Sequence, residues 1–217
     1  MKYNSVLFDL DGTLVDNREG ILNGFRYALE KLGKPQEIVL ADTVIGPPLR
    51  QTFRDVYGMS GEQTEEAVRI YREFYKPVGA YQCVAYPHVE EMLARLKAAG
   101  CSVYLATSKA RVFAEAITEH LGLAKYFDGL AGSELDGRLD SKTELLRHML
   151  DTMIPADRLP AVMVGDRYMD AQGALDCGMD ALAALWGFGG SVEFLPFDNV
   201  KAMFENAAQL CDWLLEG

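Results

Sequence analysis

Ser5-Val6-Leu7-Phe8-Asp9-Leu10-Asp11-Gly12-Thr13 runs from a short apolar stretch straight into two carboxylates and a turn. The stretch lacks the polar alternation of a half-exposed strand, so it reads as a strand buried on both faces. A strand that ends at Asp9 holds that carboxylate at its carboxyl end. Asp11 points the same way wherever strand geometry persists for two more residues. Two acids closing an apolar strand are costly without a cation or a partner. Gly12 permits a tight turn beyond them.

The same kind of run recurs along the chain at 102–106, 129–131, 161–164 and 181–185. Between these lie helical patterns at 89–99, 110–121, 142–153 and 170–177. Strands alternating with helices predict an α/β fold, a Rossmann-like parallel sheet with helices on both faces. One stretch breaks the alternation. From Asp16 to Tyr86 the periodicity is helical only, with Ile21, Phe25, Ala28 and Leu32 on one face and Val68, Tyr71, Phe74 and Tyr75 on another. Residues 16–86 are therefore expected to form an all-helical cap inserted after the first strand. Residues 1–15 and 87–217 are expected to form the Rossmann-like core. Such a cap overhangs the carboxyl edge of the sheet, where open α/β folds bind ligands.

Three further groups fall at that edge. Thr107-Ser108 ends the second core strand, Ser141-Lys142 opens a helix, and Gly165-Asp166-Arg167-Tyr168-Met169-Asp170 follows a later strand. The ordered set DxDGT, T/S, K and GDxxxD spans essentially the full length. It resembles the haloacid dehalogenase superfamily, in particular its helical-capped phosphatases, and is similar to phosphoglycolate phosphatases and 5′-nucleotidases. The resemblance implies hydrolysis of a small phosphorylated metabolite through an aspartyl-phosphate on Asp9, with Mg²⁺ as cofactor. Asp11 is present, which favours phosphate-ester chemistry over dehalogenation. A sugar phosphomutase of the same superfamily and a non-catalytic phosphate-binding regulatory protein stay open as alternatives.

Phosphoryl transfer needs an in-line nucleophile, charge neutralisation and a proton for the leaving group. Asp9 suits the first role. Asp11 suits the last, if nearby carboxylates raise its pKa. Asp9 and Asp166, with the backbone carbonyl of Asp11 supplied by resemblance, make a hard-oxygen Mg²⁺ site. Asp170 is expected in its second shell, acting through water or by orienting Lys142. Thr107 and Ser108 are placed on a phosphate oxygen, with Thr107 at a helix N-terminus. Lys142 supplies a point charge to Asp9 and the phosphoryl group.

Plainer readings compete. Ser141 and Glu144 form an S-x-x-E capping box, Asp170 suits an N-cap, and Thr107 or Ser108 could cap the next helix. Lys142 resists such an account, because a cation in a first turn opposes the helix dipole and calls for an anion. Lys109 reads as a solvated lysine, and Tyr71, Phe74 and Tyr75 as cap core. Arg50, after Gly46-Pro47-Pro48-Leu49, either reaches a remote anionic group of the substrate or sits in solvent.

Composition narrows the partners. Hydrophobic residues make up 49% of the 217, enough for an ordinary core. The net charge of -11, with no Lys/Arg cluster, argues against nucleic acid and anionic membranes. Cys83, Cys101, Cys177 and Cys211 form no CxxC, and acids interrupt the N-terminal apolar run. A cytoplasmic protein with reduced thiols, monomeric or homodimeric, is the expectation. His88, His120 and His148 stand apart from every motif.

Overall fold

The computed structural model describes residues 2–34 and 42–216. The part of the expected cap at 35–41 lies outside the described residues. Strand β1, Ser5–Phe8, is buried throughout. It lies between β4, Ser102–Ala110, and β6, Ala161–Gly165. The six-stranded sheet has the order β5-β4-β1-β6-β7-β8, and every neighbouring pair is parallel. Here β5 is Gly129–Ser133, β7 Asp180–Ala184 and β8 Val200–Phe204.

Alternation along β1 feeds two core layers. Val6 and Phe8 join one cluster with Met92, Leu93, Phe113 and Ile117. Leu7 joins the other with Leu145, Leu146, Met149 and Ala174. The first layer uses helices α4, Val89–Ala98, α5, Arg111–His120, and α8, Ala207–Leu215; the second uses α6, Lys142–Thr152, and α7, Tyr168–Asp176. Register then sets the site. Phe8 pairs with Leu105 and with Val164, so the residues just beyond Phe8 and Val164 emerge side by side.

Among the described residues, three α-helices lie between β1 and α4: α1, Arg18–Lys31, α2, Leu49–Asp55, and α3, Glu62–Tyr75. Their core is aromatic. Phe25 packs on Phe53 and Tyr71 with centroids at 5.3 and 5.1 Å, and Tyr71 stacks on Tyr75 at 5.2 Å. Gly24 makes room, since a Cβ there would lie 2.5 Å from the Tyr71 ring.

The stretch is not helical only, as periodicity suggested. The outgoing and returning chains pair as two short antiparallel strands, β2, Val15–Asp16, and β3, Val84–Ala85. Two residues are too few to show a period of two. Edge strand β8 and helix α8 were likewise missed. Among the described residues, no helix is long and apolar enough to cross a membrane.

Candidate active site

Asp9 leaves β1 buried, with Lys142 against it. The Lys142 ammonium lies 2.9 Å from Asp9 Oδ1, 2.8 Å from Asp170 Oδ1 and 2.9 Å from the Ala106 carbonyl. The contacts with Asp9 and Ala106 are hydrogen bonds, and Asp170 adds an ion pair. Burial works against that charge, yet Asp170 and Asp9 hold the Lys142 pKa above its ordinary value. The anion that a first-turn lysine demanded is therefore present twice. Lys142 fits because Gly173 of α7 faces it, where a Cβ would lie 2.7 Å from Lys142 Cγ.

The expected capping box does not form: Ser141 is the N-cap of α6 but its side chain makes no cap hydrogen bond. Nor is Asp170 an N-cap. That position belongs to Arg167, whose backbone N–H donates to Asp170 Oδ2 at 3.2 Å.

Asp166, beyond β6, completes an acidic cluster. Asp9, Asp166 and Asp170 each bring one carboxylate oxygen within 4.8 Å of the others, all buried. Burial, then the neighbouring Asp170 and Asp9 charges, push the Asp166 carboxyl well above the usual carboxylate range. Three acids against one ammonium leave a surplus of negative charge that a divalent cation would neutralise, and the donors are the hard oxygens that Mg²⁺ prefers. The third acid of the cluster is Asp170, which also pairs with Lys142.

Asp166 is built in tightly. Its Oδ2 accepts the Phe188 N–H at 2.8 Å and its Oδ1 the Thr13 hydroxyl at 3.4 Å. Gly12 has φ +81°, and a Cβ there would lie 2.1 Å from Asp166 Oδ2. Gly187 and Gly189 press on the same residue from the loop after β7, and Trp186 Nε1 donates to the Thr13 carbonyl at 3.0 Å. That loop, Trp186-Gly187-Phe188-Gly189-Gly190, escaped the sequence reading; its glycine run behind a strand was the available signal.

The Asp11 carboxylate turns elsewhere. It lies 2.8 Å from the Lys109 ammonium and accepts from the Asn17 amide. Burial raises its pKa, Lys109 opposes the rise and Asp9 reinforces it. Lys109 is not the solvated lysine expected: the residue is half-buried, its side chain is only 7% exposed, and its ammonium lies 2.8 Å from Tyr75 Oη. The distant Tyr75 and Asp11 that enclose it leave no local signal in the sequence. Thr107 Oγ1 accepts the Lys109 N–H at 3.1 Å. Neither Thr107 nor Ser108 caps a helix, because β4 runs on with a register shift and Ala110 is the N-cap of α5. Thr107 therefore brings no helix N-terminus to the site. Ser108 lines the narrow cleft of Asp9, Lys142 and Asp170.

A larger pocket opens at Asp11 under the cap, lined by Ser108, Lys109, Tyr71, Tyr75, Arg50 and Arg72 among others. Arg50 is not in solvent: its Nε and a terminal nitrogen hold Glu65 at 2.7 and 3.0 Å, and it reaches across to the Leu135 carbonyl at 2.9 Å.

Residues 6–184 match the haloacid dehalogenase-like hydrolase family. The chain belongs to that family. It is 39% identical to a 5′-nucleotidase of Pseudomonas aeruginosa over 195 residues, 89% of this chain and 87% of the relative. It is 41% identical over 186 residues to tyrosine-protein kinase PtkA of Mycobacterium tuberculosis, 85% of this chain but only 62% of PtkA's length. Among solved structures, a "predicted phosphatase" from Clostridium acetobutylicum superposes with a TM-score of 0.92 at 36% identity, covering all of both chains. Within the haloacid dehalogenase-like hydrolases the chain is a phosphatase.

Proposed function

We propose that this phosphatase hydrolyses a small phosphomonoester metabolite, phosphoglycolate-like or a nucleoside monophosphate, through an aspartyl-phosphate on Asp9 with Mg²⁺ as cofactor. The observation that carries the reading is the buried set of Asp9, Lys142, Asp166 and Asp170 at one sheet edge. Lys142 occupies one oxygen of Asp9, so the other is available to attack phosphorus. As the new P–O bond forms, the bond to the leaving oxygen breaks, and Asp11 gives that oxygen a proton. Asp11 then takes a proton from the water that attacks the aspartyl-phosphate, which releases phosphate and restores Asp9. Its raised pKa suits both roles.

Asp9 and Asp166, with the backbone carbonyl of Asp11, would bind Mg²⁺, and Asp170 would act on it through water or by orienting Lys142. Mg²⁺ supplies positive charge to the phosphoryl oxygens and relieves the acidic cluster. The Lys142 ammonium, fixed by Asp170 and Ala106, neutralises charge on the same oxygens, and Ser108 offers a hydroxyl. The pocket at Asp11 holds the leaving group. The relative named a 5′-nucleotidase supports a nucleotide as one candidate. The test is turnover of p-nitrophenyl phosphate. Hydrolysis with Mg²⁺ that disappears in excess chelator, and with Asp9→Asn, is expected. Full activity in chelator would refute the metal assignment, and an active Asp9→Asn the nucleophile.

A further inference from the structure

The pocket at Asp11 is bounded on its cap side by two arginines that differ in how the protein uses them. Arg50 holds both oxygens of Glu65 and the Leu135 carbonyl, so its charge is matched internally. Arg72, on α3, donates one terminal nitrogen to the same Leu135 carbonyl at 3.2 Å. Its Nε is buried without an acceptor, and among the described residues no carboxylate forms an ion pair with it. Burial and the adjacent Arg50 cation both hold the Arg72 pKa below the ordinary arginine value; Glu65 and Asp140 counter this only from longer range. Asp140 lines the same pocket, and burial pushes its carboxyl up, which weakens it as a counter-ion.

Arg72 is half-buried, and its other terminal nitrogen has no acceptor among the described residues, so it can donate to a planar anion in the pocket. The rings of Phe25, Tyr71 and Tyr75 line the same pocket as Arg72 and Asp11, so a ligand there meets apolar walls as well as charge.

We propose that Arg72 anchors a second anionic group, a carboxylate or a phosphate, at the far end of the substrate's leaving group. The pocket thereby selects phosphomonoesters with two separated negative charges over esters of neutral alcohols. The proposal rests on the phosphatase reading, which places the phosphoryl group at Asp9, and it moves the specificity expected of Arg50 to its neighbour. Of the two substrate types above, it favours the phosphoglycolate-like one.

Non-hydrolysable phosphonates test it by calorimetry in the presence of Mg²⁺. One series carries a terminal carboxylate (phosphonoacetate, 3-phosphonopropionate, 4-phosphonobutyrate); the other is the alkylphosphonates of matching length. One carboxylate length is expected to bind roughly tenfold or more tightly than its alkyl match, the size of a charge-assisted hydrogen bond. Arg72→Gln should bring that ratio close to one, and Arg72→Lys should restore part of it. No preferred length in the wild type, or an advantage that survives in Arg72→Gln, would overturn the proposal. Alkylphosphonates that compete with inorganic phosphate while both series bind equally would sink Arg72 alone. If neither series competes with phosphate, both the proposal and the phosphatase reading fall.

Discussion

Lys142 shows how much one side chain can carry. Its ammonium sits among Asp9, Asp170 and the Ala106 carbonyl, and it pairs with two of the three acids of the cluster. Helix propensity favours Lys142→Ala, since alanine is the best helix former. Electrostatics opposes it more strongly: removing one partner of a buried ion pair costs about 3–5 kcal/mol, because the other charge is left unmatched. Lys142→Ala is therefore expected to lose both turnover and stability. Urea unfolding without divalent metal checks the second part, and an unchanged midpoint would contradict it. The helix has no capping hydrogen bond from Ser141 to soften the loss.

At the scale of elements, the close passage of α7 over α6 decides where Asp170 meets Lys142. In an exposed helix Gly173→Ala would stabilise by up to about 1 kcal/mol. Here the new Cβ would sit 2.7 Å from Lys142 Cγ and 3.1 Å from its backbone carbon, so packing should win. The variant is expected to melt lower and turn over more slowly, and a raised melting temperature would refute this account of the helix contact. The same contrast explains what was legible in the sequence. Central strands β1 and β6 are buried on both faces and announce themselves as apolar runs, and the acids beyond them stand in register. Strand β8 alternates between half-exposed, exposed and buried residues at the sheet edge, and β2 and β3 are two residues each, too short for any periodicity. Within the site, Asp9, Asp166 and Lys142 were readable because each ends or opens an element. The pairing of Lys109 with Asp11 and Tyr75, and of Arg50 with Glu65, depends on how the cap sits, which no local pattern encodes.

For the whole molecule, a net charge of -11 and a buried acidic cluster mean that the native state carries electrostatic stress a cation relieves. In the proposed metal site Mg²⁺ would bind the folded cluster and not the unfolded chain, so it should raise the melting temperature with concentration. Asp166→Asn removes one of the crowded charges. It should melt higher than wild type in chelator, and Mg²⁺ should stabilise it far less. An identical Mg²⁺ response in both proteins would place the metal elsewhere. The proposed mechanism turns on one event, transfer of a phosphoryl group to Asp9, and that event would leave a chemical trace. The direct measurement is acid quench during turnover of p-nitrophenyl phosphate with Mg²⁺, then borohydride reduction and peptide mass spectrometry. The account predicts that Asp9 is converted to homoserine, with no conversion in chelator. Phosphate trapped on another residue, or steady turnover with residue 9 unmodified at every quench time, would contradict it.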